Sequence, residues 1–177
     1  MIRTCLFLLL AICSLSCFAQ TQEIPALLKV PEDCKLVLHA FAKGVQVYTC
    51  TQDPADTSRY VWTFSQPRAN LYADSDYQTL TGKHYLNAAK KPTWETKDGS
   101  TISGAKLQQA NSPDSLAIPW LLLKGITPAG TGKLSLVVYI QRVNTKGGKA
   151  PATADRQQKG QTIQQPYTAE YLFYSKK

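Results

Sequence analysis

Histidine and cysteine are scarce in this sequence of 177 residues, and their scarcity limits the chemistry it can support. The chain has two histidines, His39 and His84, and only two of its five cysteines, Cys34 and Cys50, lie beyond residue 17. A protein metal site needs several His, Cys, Asp or Glu side chains that converge. No third cysteine or histidine stands at a ligand spacing from Cys34 and Cys50, so the sequence predicts no metal site and no cofactor.

Long apolar runs are also lacking. Residues 6–13 form an apolar run behind Arg3, but the run falls short of the roughly 20 residues that a membrane-spanning helix needs. A positive residue, an apolar run and small residues that lead to Ala19 are typical of a secretory signal peptide. We therefore predict that residues 1–19 are a signal peptide and that the protein is secreted or periplasmic, without a transmembrane span. The alternative is lipid attachment at Cys17, because residues 14–17 loosely resemble a bacterial lipobox.

Basic runs are absent as well, although the formal net charge is +8. The lysines and arginines are scattered, with no run of five or more. Nucleic-acid-binding segments usually concentrate their positive charge. The sequence therefore predicts a mildly basic surface and no nucleic-acid partner.

The cysteines that remain after signal cleavage predict a disulfide. Two strand-like runs, residues 35–41 and 45–49, lie between Cys34 and Cys50, with Gly44 in the turn between them. A hairpin that bends at Ala42 would bring the two cysteines opposite each other, at a separation that a disulfide can span. An even cysteine count in an exported chain favours this bond.

The rest of the chain is rich in alternating, strand-like segments. Polar residues 20–33 are interpreted as a leader, and residues 34–177 as one β domain, because about 160 residues fit one domain better than two. The predicted strands are residues 35–41, 45–49, 60–64, 101–110, 117–124, 133–143 and 167–173, and the passages 65–82 and 150–165 look irregular. No apolar stripe at helical spacing is long enough for a helix. This pattern predicts an all-β, single-domain β-sandwich or distorted barrel of mostly antiparallel strands.

Two groups of residues are candidates for function. His84, Glu95 and Asp98 lie close together in the sequence and could supply a general base and its carboxylate, although an Asp-Gly-Ser turn explains Asp98 equally well. The second group is aromatic and cationic. Proline cannot donate to a strand ladder, so Pro119 predicts a strand start or a bulge that could turn its neighbour toward a pocket. The ligand-binding candidates are Tyr85, Trp94, Trp120 and Arg142.

Several segments together resemble a known family, the secreted domain of unknown function 3455. The resembling segments include residues 44–50, 82–85, 92–95, 139–148 and 167–171, and the strongest is residues 117–123. The resemblance implies a secreted β-rich domain and no particular activity. Members usually have a cysteine after the Gly-Gly turn that would pair with the cysteine matching Cys50. Ala154 and Asp155 stand there instead, and residues 87–91 form an insertion that would reshape the rim of any site at His84.

Export, a predicted disulfide and an aromatic-rich β domain favour a non-enzymatic binding or surface-interaction module. Its ligand is unknown, with glycans, small ligands or the cell-envelope surface as the expected partners. One alternative is a hydrolase or lyase that uses His84 with Glu95 or Asp98. Another is a structural or stress-related envelope protein without a small ligand.

Overall fold

The computed structural model of the protein describes residues 23–177. The predicted signal peptide and the acylation candidate Cys17 lie outside the described residues. Within residues 23–177 there is no α-helix, and two short 3₁₀ helices occur at Ala26–Leu28 and Arg156–Gln158. The strands are β1 (Cys34–Gln52), β2 (Tyr60–Tyr72), β3 (Leu80–Leu86), β4 (Pro92–Thr96), β5 (Thr101–Ala110), β6 (Trp120–Ala129), β7 (Val137–Gly147) and β8 (Thr162–Lys176).

The eight strands form one antiparallel sheet that closes on itself. Each strand pairs with the next one along the chain, and β8 returns to pair with β1. Register shifts interrupt several of the ladders, including β1–β2 between Val47 and Tyr48 and β7–β8 between Val143 and Lys146. Such bulges bend strands and increase their twist, so the ring is a distorted barrel. The predicted all-β fold of antiparallel strands is confirmed.

The prediction of a hairpin between Cys34 and Cys50 is wrong. β1 is a single strand of 19 residues that runs from Cys34 to Gln52 without a turn. Gly44 lies inside this strand. The position requires glycine, because a Cβ here would collide with the Arg68 carbonyl oxygen of β2. Glycine here permits a close approach of two backbones.

The predicted disulfide fails for the same reason. Cys34 and Cys50 are both buried and unbonded, and they lie near opposite ends of β1. An extended chain rises about 3.3 Å per residue, which separates them by on the order of 50 Å along the strand.

Residues 65–82, which look irregular in the sequence, contribute to β2 and β3. Pro67, Ala69 and Leu71 point inward and alternate with exposed polar residues. The alternation is therefore present, but proline and alanine are weak strand formers and obscure it.

The interior of the ring contains the main apolar core. Small residues of β1, β2 and β8 leave space that the large side chains of β4 and β8 occupy. The small residues are Ala40, Ala42, Ala69 and Ala169, and the large ones are Trp94, Tyr171 and Phe173. Leu134, in the β6–β7 connection, is completely buried in the same core.

A second, smaller cluster covers the outer face of β6 and β7. Leu28, from the segment before β1, packs on Trp120, Leu122 and Val143. The side-chain amide of Gln141 donates a 2.6 Å hydrogen bond to the Leu28 carbonyl oxygen. The described part of the predicted leader, residues 23–33, is thereby attached to the barrel wall. No helix in residues 23–177 has the length and apolar character needed to cross a membrane.

Candidate functional site at the barrel mouth

The connections β1–β2, β3–β4, β5–β6 and β7–β8 all lie at one end of the ring, since consecutive strands alternate in direction. At this end the interior contains a cavity of about 440 Å³, which we call the mouth pocket. The residues that line it are Gln46, Tyr48, Phe64, Pro67, His84, Leu86, Lys90, Pro92, Trp94, Lys106, Ile118, Pro119, Leu121, Leu123, Arg142 and Tyr171. The volume lies within the range of small-molecule binding sites.

Three aromatic rings form one wall of the mouth pocket. The His84 and Trp94 rings are stacked, with centroids 4.5 Å apart and an interplanar angle of 11°. Tyr171 meets the Trp94 ring edge-on at 5.2 Å. His84 and Trp94 are directly opposite each other in the β3–β4 ladder, so the ladder itself sets the stack. All three side chains are buried.

His84 is uncharged at neutral pH. Its Nδ1 lies 2.9 Å from the Thr93 carbonyl oxygen, which can only accept, so Nδ1 carries the ring proton. Burial lowers the pKa of His84 to about 3; the nearby positive charge of Arg142 acts in the same direction, while the bond to Thr93 opposes it. His84 therefore adds no positive charge to the pocket.

Arg142 is the cation inside the pocket. It lies opposite Leu121 on β6 and opposite Tyr171 on β8. Its Nε and Nη2 donate to the Pro119 carbonyl oxygen at 3.0 and 2.8 Å, which fixes the guanidinium against the β5–β6 connection. Among residues 23–177, no carboxylate forms an ion pair with Arg142.

Several buried polar atoms of the pocket residues have no hydrogen-bond partner in the described chain. They are Gln46 Nε2, Trp94 Nε1 and the Tyr171 hydroxyl. Burial raises the pKa of Tyr171, and the charge of Arg142 opposes this increase, so the guanidinium is near the hydroxyl. Buried polar groups in native proteins are nearly always bonded, and exceptions often mark places where water, an ion or a ligand binds.

The three catalytic candidates do not come together. Glu95 follows Trp94 on β4, so its side chain is on the outer face of the sheet, while His84 and Trp94 face inward. There Glu95 accepts a 2.8 Å hydrogen bond from the Tyr85 hydroxyl and lies 3.1 Å from Lys83 Nζ. The sheet therefore separates this carboxylate from the histidine.

Asp98 holds two connections together at the opposite end of the barrel. Its carboxylate accepts hydrogen bonds from Thr96 Oγ1, from the backbone N–H and hydroxyl of Ser100, and from the backbone N–H of Lys133. The bond from the Ser100 hydroxyl is the largest of the effects that hold the pKa of Asp98 far below its usual range. These contacts explain Asp98 as a structural residue of the β4–β5 turn.

The structure separates the four predicted ligand-binding residues. Trp94 and Arg142 line the mouth pocket. Tyr85 lies on the outer face of β3, beside a shallow groove that also contains Lys43 and Arg68. Trp120 begins β6 after Pro119, as expected for a strand-start proline, but it packs under Leu28 in the second cluster and does not reach the pocket.

Sequence reasoning missed Gln46 and Tyr171. Tyr171 alternates with outward residues along β8 in the sequence, which is a signal for an inward position. The sequence does not show that Tyr171 lies opposite Arg142, because the register of β7 and β8 shifts at the bulge between Val143 and Lys146. Lys90, from the insertion at residues 87–91, lines the rim of the pocket.

Comparison with known proteins identifies a family. The family model described as "Protein of unknown function (DUF3455)" matches residues 31–175 of the chain. The chain therefore belongs to this family. No curated protein and no solved structure matches it.

Proposed function

We propose that this member of the family is a non-enzymatic binding module that acts outside the cytoplasm and holds a small ligand in the mouth pocket. The observation that carries the proposal is the combination of a 440 Å³ cavity with buried, unpartnered polar atoms on the side chains that line it. A cavity that results only from imperfect packing would be lined by apolar groups. Polar groups without partners destabilise a fold unless something binds them.

The pocket is suited to binding more than to proton transfer. A general base needs a partner that orients it and a pKa near the working pH. His84 is oriented by a backbone carbonyl, and its pKa lies near 3. The carboxylates that would complete a catalytic pair, Glu95 and Asp98, belong to the outer face and to the opposite end of the barrel.

The proposed location is supported by the N-terminal sequence alone. Residues 1–19 have the charge and hydrophobicity pattern of a signal peptide. A binding module outside the cytoplasm would encounter glycans, lipids and small metabolites, and these are the ligand classes to screen.

A thermal-shift screen with a blocked-pocket variant tests the proposal. Leu86 lines the rim, so Leu86→Trp would fill part of the cavity, and Leu107→Trp places the same side chain on an exposed position of β5. A ligand at about one hundred times its Kd stabilises by about 2.7 kcal/mol, which raises Tm by several degrees. We expect one ligand class to raise the Tm of the wild type and of Leu107→Trp, and to leave the Tm of Leu86→Trp unchanged.

Two results would contradict the proposal. If the Tm does not rise with any glycan, lipid or small metabolite, the protein has a structural role instead. If Leu86→Trp keeps the full shift, the ligand binds elsewhere on the protein.

A further inference from the structure

The unpartnered atoms of the mouth pocket share one chemical property. Gln46 Nε2 and Trp94 Nε1 can only donate hydrogen bonds, and the Tyr171 hydroxyl can donate one. The guanidinium of Arg142 has five N–H groups, of which two bond to the Pro119 carbonyl. No carboxylate among residues 23–177 pairs with the rest of the guanidinium. The pocket therefore needs a group rich in acceptors.

The charge around the pocket has one sign. Arg142 lies inside, and Lys90 and Lys106 lie on the lining. No Asp or Glu of the described chain lines the cavity. His84 is neutral and leaves this balance unchanged. A cation that is partly buried without a counter-ion is costly, and an anion bound beside it removes that cost.

The aromatic wall restricts the shape of the occupant. The stacked rings of His84 and Trp94 limit the cavity on one side, and Leu121 and Leu123 of β6 supply apolar lining. A flat or slender apolar body fits this space, because aromatic faces prefer offset stacking or edge contacts with other rings. A sugar fits less well, since its hydroxyl groups also need acceptors, and the unpartnered atoms here mainly donate.

From these three observations we infer that the ligand is a small organic carboxylate with an apolar body, whose carboxylate binds Arg142. This inference rests on the proposed function and names its ligand class. A carboxylate offers about four acceptor positions, and arginine binds it with two parallel N–H groups. The apolar body lies against Trp94 and the leucines of β6.

A matched pair of probes tests the charge requirement on the wild-type protein. 3-Phenylpropionate and 3-phenylpropionamide have nearly the same shape and differ in charge. We expect calorimetric titration to give a Kd for the carboxylate at least roughly tenfold lower than that for the amide.

An Arg142 variant tests the residue assignment. Arg142→Gln removes the charge and keeps an N–H donor for the Pro119 carbonyl. We expect it to bind 3-phenylpropionate at least roughly tenfold more weakly, while its affinity for the amide changes less than about twofold. Lys124→Gln, an exposed charge change on β6, is the control and keeps wild-type affinity. If Arg142→Gln does not fold, the comparison of the two probes on the wild type decides alone.

The outcomes separate this inference from the proposed function. Equal affinity of the wild type for the carboxylate and the amide overturns the inference. If neutral compounds bind and Leu86→Trp abolishes their binding, the pocket is a binding site but the carboxylate assignment is wrong. If no compound of either class binds, both the inference and the proposed function are wrong.

Discussion

His84, which lines the pocket, makes the folding stability of the protein depend on pH. The residue is completely surrounded by protein, and its folded pKa of about 3 lies below the usual value of 6.5. Between these two values the unfolded chain binds a proton that the folded chain does not. The folded state is therefore stabilised above pH 6.5, and it loses this stability as the pH falls toward 3.

We expect the free energy of unfolding to fall by about 1.4 kcal/mol per pH unit below pH 6 because of His84. Urea unfolding between pH 6.5 and 5.0 measures this slope, and carboxylates contribute little in that interval because their usual pKa values lie near 4. The chain has only one other histidine, so His39→Gln is the appropriate background. The double variant His39→Gln/His84→Gln should lose most of the slope, and an unchanged slope would contradict the burial of a neutral histidine.

Some residues of the site could be predicted because their residue type alone indicates a binding role. Trp94, an aromatic, and Arg142, a cation, were predicted to bind a ligand, and both line the pocket. Glu95 was a reasonable partner for His84 by sequence distance. Because side chains alternate along a strand, Glu95 lies on the opposite face from Trp94. This separates Glu95 from His84 only because His84 and Trp94 pair across β3 and β4, which the sequence does not show.

β1 illustrates why a glycine is ambiguous at the scale of one element. Glycine supports a turn by its backbone freedom and supports close strand contact by its lack of a side chain. At Gly44 the second use applies, because the Ala69 Cα would be 2.5 Å from an added Cβ. By contrast, residues 101–110 were predicted as a strand and form β5 with the same bounds, although Gly104 lies inside it. At Gly104 the missing side chain leaves room for Leu123 and Trp94.

We expect Gly44→Val to destabilise the protein by at least about 2 kcal/mol, because backbone atoms of β2 must move away to admit the side chain. Lys43→Val, at the exposed neighbouring position of β1, is the control and should change stability by less than about 0.5 kcal/mol. Chemical denaturation of the three proteins measures both differences. Equal stability of Gly44→Val and the wild type would mean that β1 and β2 are not in close contact at this position.

At the scale of the whole molecule, composition and alternation predicted the all-β class. They did not decide between a sandwich and a barrel, because closure depends on β1 and β8, which pair residues such as Cys34 and Lys176 across most of the chain. Local sequence carries no information about such a distant partner. The pocket could not be predicted for the same reason, since its lining comes from all eight strands of the ring.

We expect export to remove residues 1–19. When the full chain is expressed in a bacterium, the intact mass of the soluble product should correspond to a protein that begins at Gln20. Cys17→Ser should leave this mass and the fractionation unchanged. A product that carries lipid at residue 17 and sediments with membranes would instead establish the alternative, lipid attachment at Cys17.

The pairing of β1 with β8 also governs how the protein acquires its structure. Synthesis delivers the 19 residues of β1 first and the 15 residues of β8 last. Until the final residues emerge, one long edge of β1 has no partner, and such edges readily pair with other chains. The last ladder to form is also among the longest in sequence separation, which slows folding. A nascent chain of this protein is therefore most prone to aggregation before β8 has been synthesised.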